Sequence, residues 1–403
     1  MFSYFITILL KLPEECREIV TDTTIQFHLP RKHHDCPVCG STCTYVDRYR
    51  LQTLKGIPDT EHVYRYRNRR YRCHDCGKTF SEDRSFIERY QQIPTCAHED
   101  IVKCHGELMT TAHIARLHGV SPTTVTRHFR QTMEDMSKEE HLTGAAVSLD
   151  EFRGNVRAKY QVILHDIVHR HCDDVLADRS ARTLRETLRR YPQEEREQVT
   201  TVSIDLSSFF RNVVEELFPN AEIAADKFHA LRLSTNALDA VRVEVQEQLT
   251  PSQRKNFRYA RNTLLKRWKN LNKYGRMKLK GLLALSERLA RAYALKEEYF
   301  RLFDSLNHDE YLRRLRAFGE HVVAAGIASF KTVLKTTIQW QEEIWHGIKT
   351  GYNNGFTEGC NNTVKVLKRI CYGFRNFENF RYRIIYLLNN DARKARRTVQ
   401  AVL

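Results

Sequence analysis

The sequence lacks an apolar run long enough to cross a bilayer. The apolar stretch Phe2 to Leu10 ends at Lys11-Leu12-Pro13. It falls well short of the roughly 20 residues a spanning helix needs. No basic stretch precedes it, as a secretion signal would require, so it reads as a short core-packing helix. Proline and glycine are sparse, 9 and 16 of 403 residues, and no low-complexity linker or internal repeat breaks the chain. Cysteine, in contrast, is present but odd-numbered at 11. Without a secretion signal this argues against a disulfide scaffold and for a reducing compartment, where paired cysteines bind metal. Acidic residues are the scarcer charge, 49 against 65 Lys and Arg, for a net charge of +16. That excess is an electrostatic footprint for a phosphate backbone. Aromatics interleaved with it, as in Tyr64-Arg65-Tyr66-Arg67 and Arg69-Arg70-Tyr71-Arg72, favour nucleic acid over a membrane surface.

A chain of this length holds two or three domains. Residues 1–90 carry Cys pairs and strand alternation such as Thr24-Ile25-Gln26-Phe27-His28-Leu29. Residues 91–140 read as helical, with Ala112, Ile114, Ala115, Leu117 and Val125 spaced for a packed face. From 145 to 230, strands at Ala145–Leu149, Tyr160–Val168, Val199–Ile204 and Glu222–Ala225 alternate with helices near Ala181–Arg190 and Phe209–Leu217, as in an α/β domain. Residues 231–345 look all-helical, and 355–390 return to a strongly basic helical pattern.

Cys36-Pro37-Val38-Cys39-Gly40 and Cys73-His74-Asp75-Cys76-Gly77 are two Cys-x2-Cys-Gly knuckles. Each presents two thiolates from a tight turn, and two such turns complete a tetrahedral Zn2+ site. The residues between them read as a hairpin, Thr44–Leu51 out, Lys55-Gly56-Ile57-Pro58 turning and Val63–Arg72 back. Cys43, His33, His34, His62 and His74 are spare candidate ligands. A four-thiolate site has no open position and is therefore structural.

The run Thr111 to Phe129 has helix-turn-helix grammar. Ala115 packs at the crossing, Gly119 turns the chain, and Ser121 caps a second helix with Pro122 at its first position. That helix would present Thr123, Thr124, Arg127 and His128 to a DNA groove. An ordinary helical hairpin is the competing reading.

Three carboxylates sit where phosphoryl-transfer chemistry needs them. Asp150 ends one apolar strand, Asp205 ends another, and Glu358 lies in Asn354-Gly355-Phe356-Thr357-Glu358-Gly359 at the start of a basic helix. Acids converging at one sheet edge can hold two divalent cations, and hard oxygen ligands suit Mg2+ or Mn2+. Each acid alone has a plainer reading as a helix cap. Asp226, which follows Ile223-Ala224-Ala225, competes with Asp205, and Glu151 is a neighbour to be distinguished from Asp150.

At this point the chain resembles the ISL3-type insertion-sequence transposases. The likeness rests on Glu358-Gly359-Cys360-Asn361-Asn362-Thr363-Val364-Lys365-Val366-Leu367-Lys368-Arg369, continuing through Tyr372-Gly373-Phe374-Arg375-Asn376-Phe377 and Asn379-Phe380-Arg381. Phe218-Pro219-Asn220-Ala221 with Asp226-Lys227-Phe228-His229, and the Arg-rich run Arg69–Phe80, are also similar. The resemblance implies a multidomain α/β protein with a zinc-binding β-rich finger over 1–90 and a helix-turn-helix over 91–140. It implies an RNase H-like catalytic domain over 141–230, an all-helical insertion over 231–345, and a last catalytic segment over 346–403 carrying Glu358. Asp150, Asp205 and Glu358 would be the catalytic acids, the family's strand order favouring Asp205 over Asp226. Asp226 and His229 would support the site, and Lys365, Lys368 and Arg369 would hold scissile phosphates unless they form only a solvated basic face. The partners implied are the element's terminal inverted repeats and target DNA, with at least a homodimer on DNA. The expected location is cytoplasmic and nucleoid-associated, without membrane. Two other classes fit part of the pattern: a DNA-binding regulator with an inert α/β domain, and an RNase H-class nuclease that cuts without joining.

Overall fold

The computed structural model describes residues 10, 12, 16–59, 61–136, 141–142, 144–154, 158–257, 259–352 and 355–390. The expected helix over Phe2 to Leu10 falls, apart from Leu10, outside the described residues, as does Asn354. The chain divides into two compact units, Met1–Glu139 with Val364–Leu403, and Glu140–Thr363. No described helix is long and apolar enough to cross a membrane.

The first unit is built on a mixed sheet, β1 (Arg17–Val20), β2 (Thr24–His28), β3 (Thr44–Thr53), β4 (Val63–Cys73) and β5 (Thr79–Ser81). The strand order is β1-β2-β4-β3, with β5 also on β4. Alternation along β2 buries Ile25 and Phe27 against Tyr64, Tyr66, Phe86 and Ile87. The interleaved tyrosines of β4 are therefore core residues, and Arg65 and Arg67 carry its exposed positive face. Arg69 is also inside: its guanidinium pairs with buried Glu82 at 2.8 Å, and Glu82 accepts a 2.6 Å hydrogen bond from Tyr66. Strand period two sends Tyr64 and Tyr66 inward and Arg65 and Arg67 outward, and a phase shift at Asn68 and Arg69, both buried, turns Arg69 and Tyr71 inward as well.

Helices α1 (Thr95–Cys104), α2 (Thr111–Leu117) and α3 (Pro122–Met136) follow, packed through Ala97, Ile101, Ile114, Ala115 and Val125. The C-terminal helix α16 (Phe377–Asn389) adds Tyr382 to a cluster with Val102, Phe129 and Met133. Here the segment expected as the end of the catalytic domain, 346–403, divides. From Val364 onward it belongs with the N-terminal unit, because α16 covers apolar faces of α1 and α3.

The second unit holds a sheet of order β10-β9-β6-β7-β8. Its strands are β6 (Ala146–Arg153), β7 (Tyr160–Asp166), β8 (His171–Leu176), β9 (Thr201–Ile204) and β10 (Glu222–Ala225). β6, β7 and β8 form an antiparallel meander, whereas β9 and β10 run parallel to β6. Helices α4 (Ala181–Leu188), α5 (Gln193–Gln198) and α6 (Ser208–Leu217) connect β8 to β9 and β9 to β10. A long helical segment follows, from α7 (Lys227–Gln248) through α8 (Pro251–Phe257), α9 (Ala260–Leu265), α10 (Lys273–Leu283), α11 (Glu287–Leu302), α12 (His308–Ala325) and α13 (Ala328–Gln339) to α14 (Gln341–Thr350). Sheet and helices share one apolar core running from Leu142 to Ile344. Gly347 fixes the return of α14 to the sheet: a Cβ there would lie 2.4 Å from the Ala225 carbonyl oxygen. After it comes α15 (Gly355–Ile370).

Candidate active site and metal centre

The two cysteine knuckles have the same backbone. The amide of Gly40 donates to Cys36 and that of Gly77 to Cys73, at 2.9 and 3.1 Å. Both glycines take positive φ, +69° and +70°, which closes each turn without a Cβ penalty. Cys36, Cys39, Cys73 and Cys76 face one another with every Sγ within 4.8 Å of the others. The closest pairs are Cys36–Cys76 at 3.5 Å and Cys39–Cys73 at 3.6 Å. The knuckle amides of Cys39 and then Val38 bring the Cys36 thiol down to about 6. The Cys76 amide likewise lowers Cys73. Although an amide stabilises the thiolate of each, the neighbouring thiols hold Cys39 and Cys76 up instead, and four sulfurs at this spacing fit a closed tetrahedral Zn2+ site. The spare candidates are placed elsewhere: His62 is bonded to Asp59, His74 lies against Tyr45, His34 against Tyr71, and His33 beside Asp35, while Cys43 is exposed.

The helix pair forms as its residues require. Gly119 turns at φ +58°, and Ser121 Oγ accepts from the Thr124 amide at 3.1 Å at the start of α3. Thr123 and Arg127 are exposed and Thr124 is half-buried. Thr124 and Arg127 line an open groove with Lys55, Tyr90 and Gly119. His128 departs from expectation. It is buried, its Nδ1 lies 2.7 Å from His98 Nδ1, and burial, then His98 and Arg127, lower its pKa to about 4. On α3 it faces α1, because position 128 falls one turn after Val125 on the packed side.

In the second unit the strand register assembles the acids. Leu149 pairs with Ile204 and Ile204 with Ala225 across three parallel strands. The next residue of each strand is Asp150, Asp205 and Asp226. Three carboxylates therefore occupy one level of one sheet edge, Asp150 within β6 and the other two just past β9 and β10. His229 lies between two of them, its Nδ1 2.7 Å from Asp205 Oδ1 and 2.8 Å from Asp226 Oδ2. Asp205 and then Asp226 raise its pKa to about 10, so an imidazolium holds them together. Asp226 is further committed as the cap of α7, accepting from the Phe228 and His229 amides. Burial, then the Asp205 charge, lifts Asp150 to about 7. Glu151 is set apart by its ion pair with Arg179 at 3.0 Å.

Glu358 is exposed on the first turn of α15. The same turns anchor that helix to β6: Thr357 bonds Ser148 at 3.1 Å, and Asn361 Nδ2 donates to Asp150 Oδ2 at 2.6 Å. Asn361 follows Glu358 by three residues, so the two share a side of the helix, and the donor to Asp150 marks that side. Lys365 and Arg369 fall within about 20° of Glu358 around the axis, and Lys368 about 80° away. Thr357 and Asn361 stand in the sequence motifs without a role of their own there, although the spacing from Glu358 places Asn361 on its side of the helix. A second unforeseen group is His165 on β7, fully buried edge-on to Phe356 and lowered to about 3 by burial.

Residues 147–384, more than half of the chain, match a family model of the ISL3-type DDE transposases whose description is "Transposase". The chain is 25% identical over 372 residues to the transposase for insertion sequence element IS1001 of Bordetella parapertussis, covering 89% of each chain. It is 26% identical over 202 residues to the transposase for insertion sequence element IS1557 of Mycobacterium tuberculosis, covering 44% of this chain and 45% of that one. A short stretch of 56 residues, 14% of this chain and 18% of the other, is 43% identical to a protein of Lactococcus lactis subsp. lactis named ATP-dependent protease. The chain belongs to the ISL3 family of insertion-sequence transposases.

Proposed function

We propose that this transposase binds the inverted repeats at the ends of its own element and cuts and rejoins DNA strands with Asp150, Asp205 and Glu358. The observation that carries this reading is the parallel register of β6, β9 and β10, which aligns Asp150, Asp205 and Asp226, with Asn361 bonding the Glu358 helix to Asp150. The strand order, an antiparallel meander flanked by two parallel strands, supports an RNase H-like catalytic domain. His229 holds both acids, but Asp226 alone is engaged by both oxygens in capping α7, which favours Asp205 as the second acid and Asp226 as its support.

His229 offsets the charge of Asp205 and Asp226, while the Asp205 charge still bears on Asp150, and an oxygen-rich set suits Mg2+ or Mn2+. When bound, two such ions supply charge neutralisation at the attacking and leaving oxygens of a phosphodiester. Asp150 and Asp205 hold their side of the site from the rigid sheet, and Glu358 closes it from α15. Lys365 and Arg369, on the Glu358 face, hold the scissile phosphates, with Lys368 flanking. Water attacks first at the element end. The freed 3′-hydroxyl then attacks target DNA in line, so no side chain forms a covalent intermediate. On the N-terminal unit, Thr123, Thr124 and Arg127 contact a groove, and His128 positions α3 from behind. Two element ends require at least a dimer on DNA, working wherever the nucleoid is reached.

The test is an in vitro reaction with Mg2+ or Mn2+, DNA carrying the element's ends, and a supercoiled target. Asp150→Ala, Asp205→Ala and Glu358→Ala should abolish cleavage and joining while DNA binding persists. Asp226→Ala should retain partial activity. Loss with Asp226→Ala and full activity with Asp205→Ala would reverse the assignment of the second acid. Cleavage without joining would make the protein a nuclease, and binding without cleavage a regulator.

A further inference from the structure

A third cluster of ligating side chains lies apart from both sites, within the N-terminal unit. Asp100 and Cys104 are four residues apart on α1 and leave the same side of that helix. His118 follows α2 as its C-cap residue, and its side chain has no solvent exposure. Its Nδ1 lies 2.6 Å from the Gly56 carbonyl oxygen. A carbonyl only accepts, so Nδ1 carries the proton, and the lone pair of the neutral ring is on Nε2. That nitrogen faces Asp100 Oδ2 at 3.5 Å and Cys104 Sγ at 3.9 Å. Neither neighbour satisfies it well. The carboxylate has no proton to give, and the thiol stands at the outer limit of a sulfur hydrogen bond. A backbone carbonyl fixing one imidazole nitrogen so that the other is free to ligate is the usual support of a metal-binding histidine.

The spacing is right as well. One atom each of Asp100, Cys104 and His118 lies within 4.8 Å of the other two. Ligands about 2.0–2.3 Å from a tetrahedral ion are about 3.3–3.8 Å apart, so closure needs at most roughly an ångström of movement. We propose that Asp100, Cys104 and His118 form a second Zn2+ site, with water as the fourth ligand. One sulfur, one imidazole nitrogen and one carboxylate oxygen make a donor set for Zn2+ rather than Mg2+. The Asp100 side chain is half exposed, which gives the ion and its water an entry from solvent. Bound there, Zn2+ joins α1 to the end of α2 just before the Gly119 turn and, through His118, to the loop at Gly56. It would therefore set the angle at which α3 leaves that turn.

Zinc per chain, measured by mass spectrometry on the dialysed full-length protein, tests this directly. The wild type should hold two, Cys104→Ala one, and a Cys36→Ser/Cys73→Ser double variant one. Asp100→Ala, a change at a half-exposed helix position, should keep its circular dichroism while binding the second zinc at least tenfold more weakly. Co2+ added to the double variant should give tetrahedral d–d bands with a single-thiolate charge-transfer band, absent once Cys104→Ala is added. One zinc in the wild type, two that survive Cys104→Ala, an unchanged affinity in Asp100→Ala, or no metal in the double variant would each overturn the site.

Discussion

Asp150 shows how one side chain can carry several demands. It is buried beside Asp205 and lifted to about 7, so below that pH the metal-free protein keeps it protonated. Because its folded pKa is raised above the ordinary carboxylate value, Asp150 favours the folded state at low pH, and that contribution is lost as pH rises toward 7. His229 titrates higher: raised to about 10, its contribution is complete below its ordinary 6.5 and is lost progressively as pH rises from there through about 10. A divalent cation must displace the Asp150 proton. Mn2+ affinity should therefore climb from pH 6 to 8, and the thermal shift it produces should climb with it; isotherms identical across that range would contradict the arrangement. Asn361→Leu should remove the 2.6 Å donor to Asp150 and cost about 1.5 kcal/mol or more, lowering the cleavage rate about tenfold or more. At this scale the sequence told much. The positions of Asp150 and Asp205 at neighbouring strand ends, and of Glu358 at the head of a basic helix, were legible from strand pattern and motif. The residues alone did not separate Asp205 from Asp226, since both follow parallel strands at the same level. The inward turn of His128 was hidden for a similar reason: helical spacing from Val125 decides it only once the packed face is known.

Among the elements, the turn between α2 and α3 has the most local determinants. Ser121 caps α3 and Gly119 supplies the left-handed residue. Ser121→Ala should destabilise the unit by about 1 kcal/mol in thermal unfolding, and Ser121→Asp should largely preserve it. Arg127→Ala should weaken DNA binding and reduce the slope of log K against log salt by about one, without changing the fold; an unchanged slope would remove Arg127 from the phosphate contacts. These features could be read from Gly, Ser and Pro at fixed offsets. Strand β8 could not, because His171-Cys172-Asp173-Asp174 breaks the apolar alternation that marks a strand, and its pairing with β7 alone fixes it. Likewise β5 is three residues long and exists by its pairing with β4.

For the whole molecule, the net charge of +16 makes salt the controlling variable for DNA. If 6–10 phosphates are contacted, affinity should fall about 10³- to 10⁵-fold between about 50 and 200 mM salt, and a shallow dependence would assign recognition to uncharged contacts instead. The N-terminal unit is assembled from two stretches of the chain, Met1–Glu139 and Val364–Leu403, which Glu140–Thr363 separates in sequence. Sequence composition separated the regions along the chain but could not foresee this closure, because the partner of Val102, Phe129 and Met133 is Tyr382, far away in sequence. That cluster has a consequence during synthesis. The ribosome releases α1 and α3 long before Tyr382 exists, so their apolar faces wait uncovered until α16 emerges. A message cut short, or a frameshift ahead of Phe377, yields a chain whose N-terminal unit lacks this cover and is open to proteolysis. Only complete translation products would then persist as stable protein.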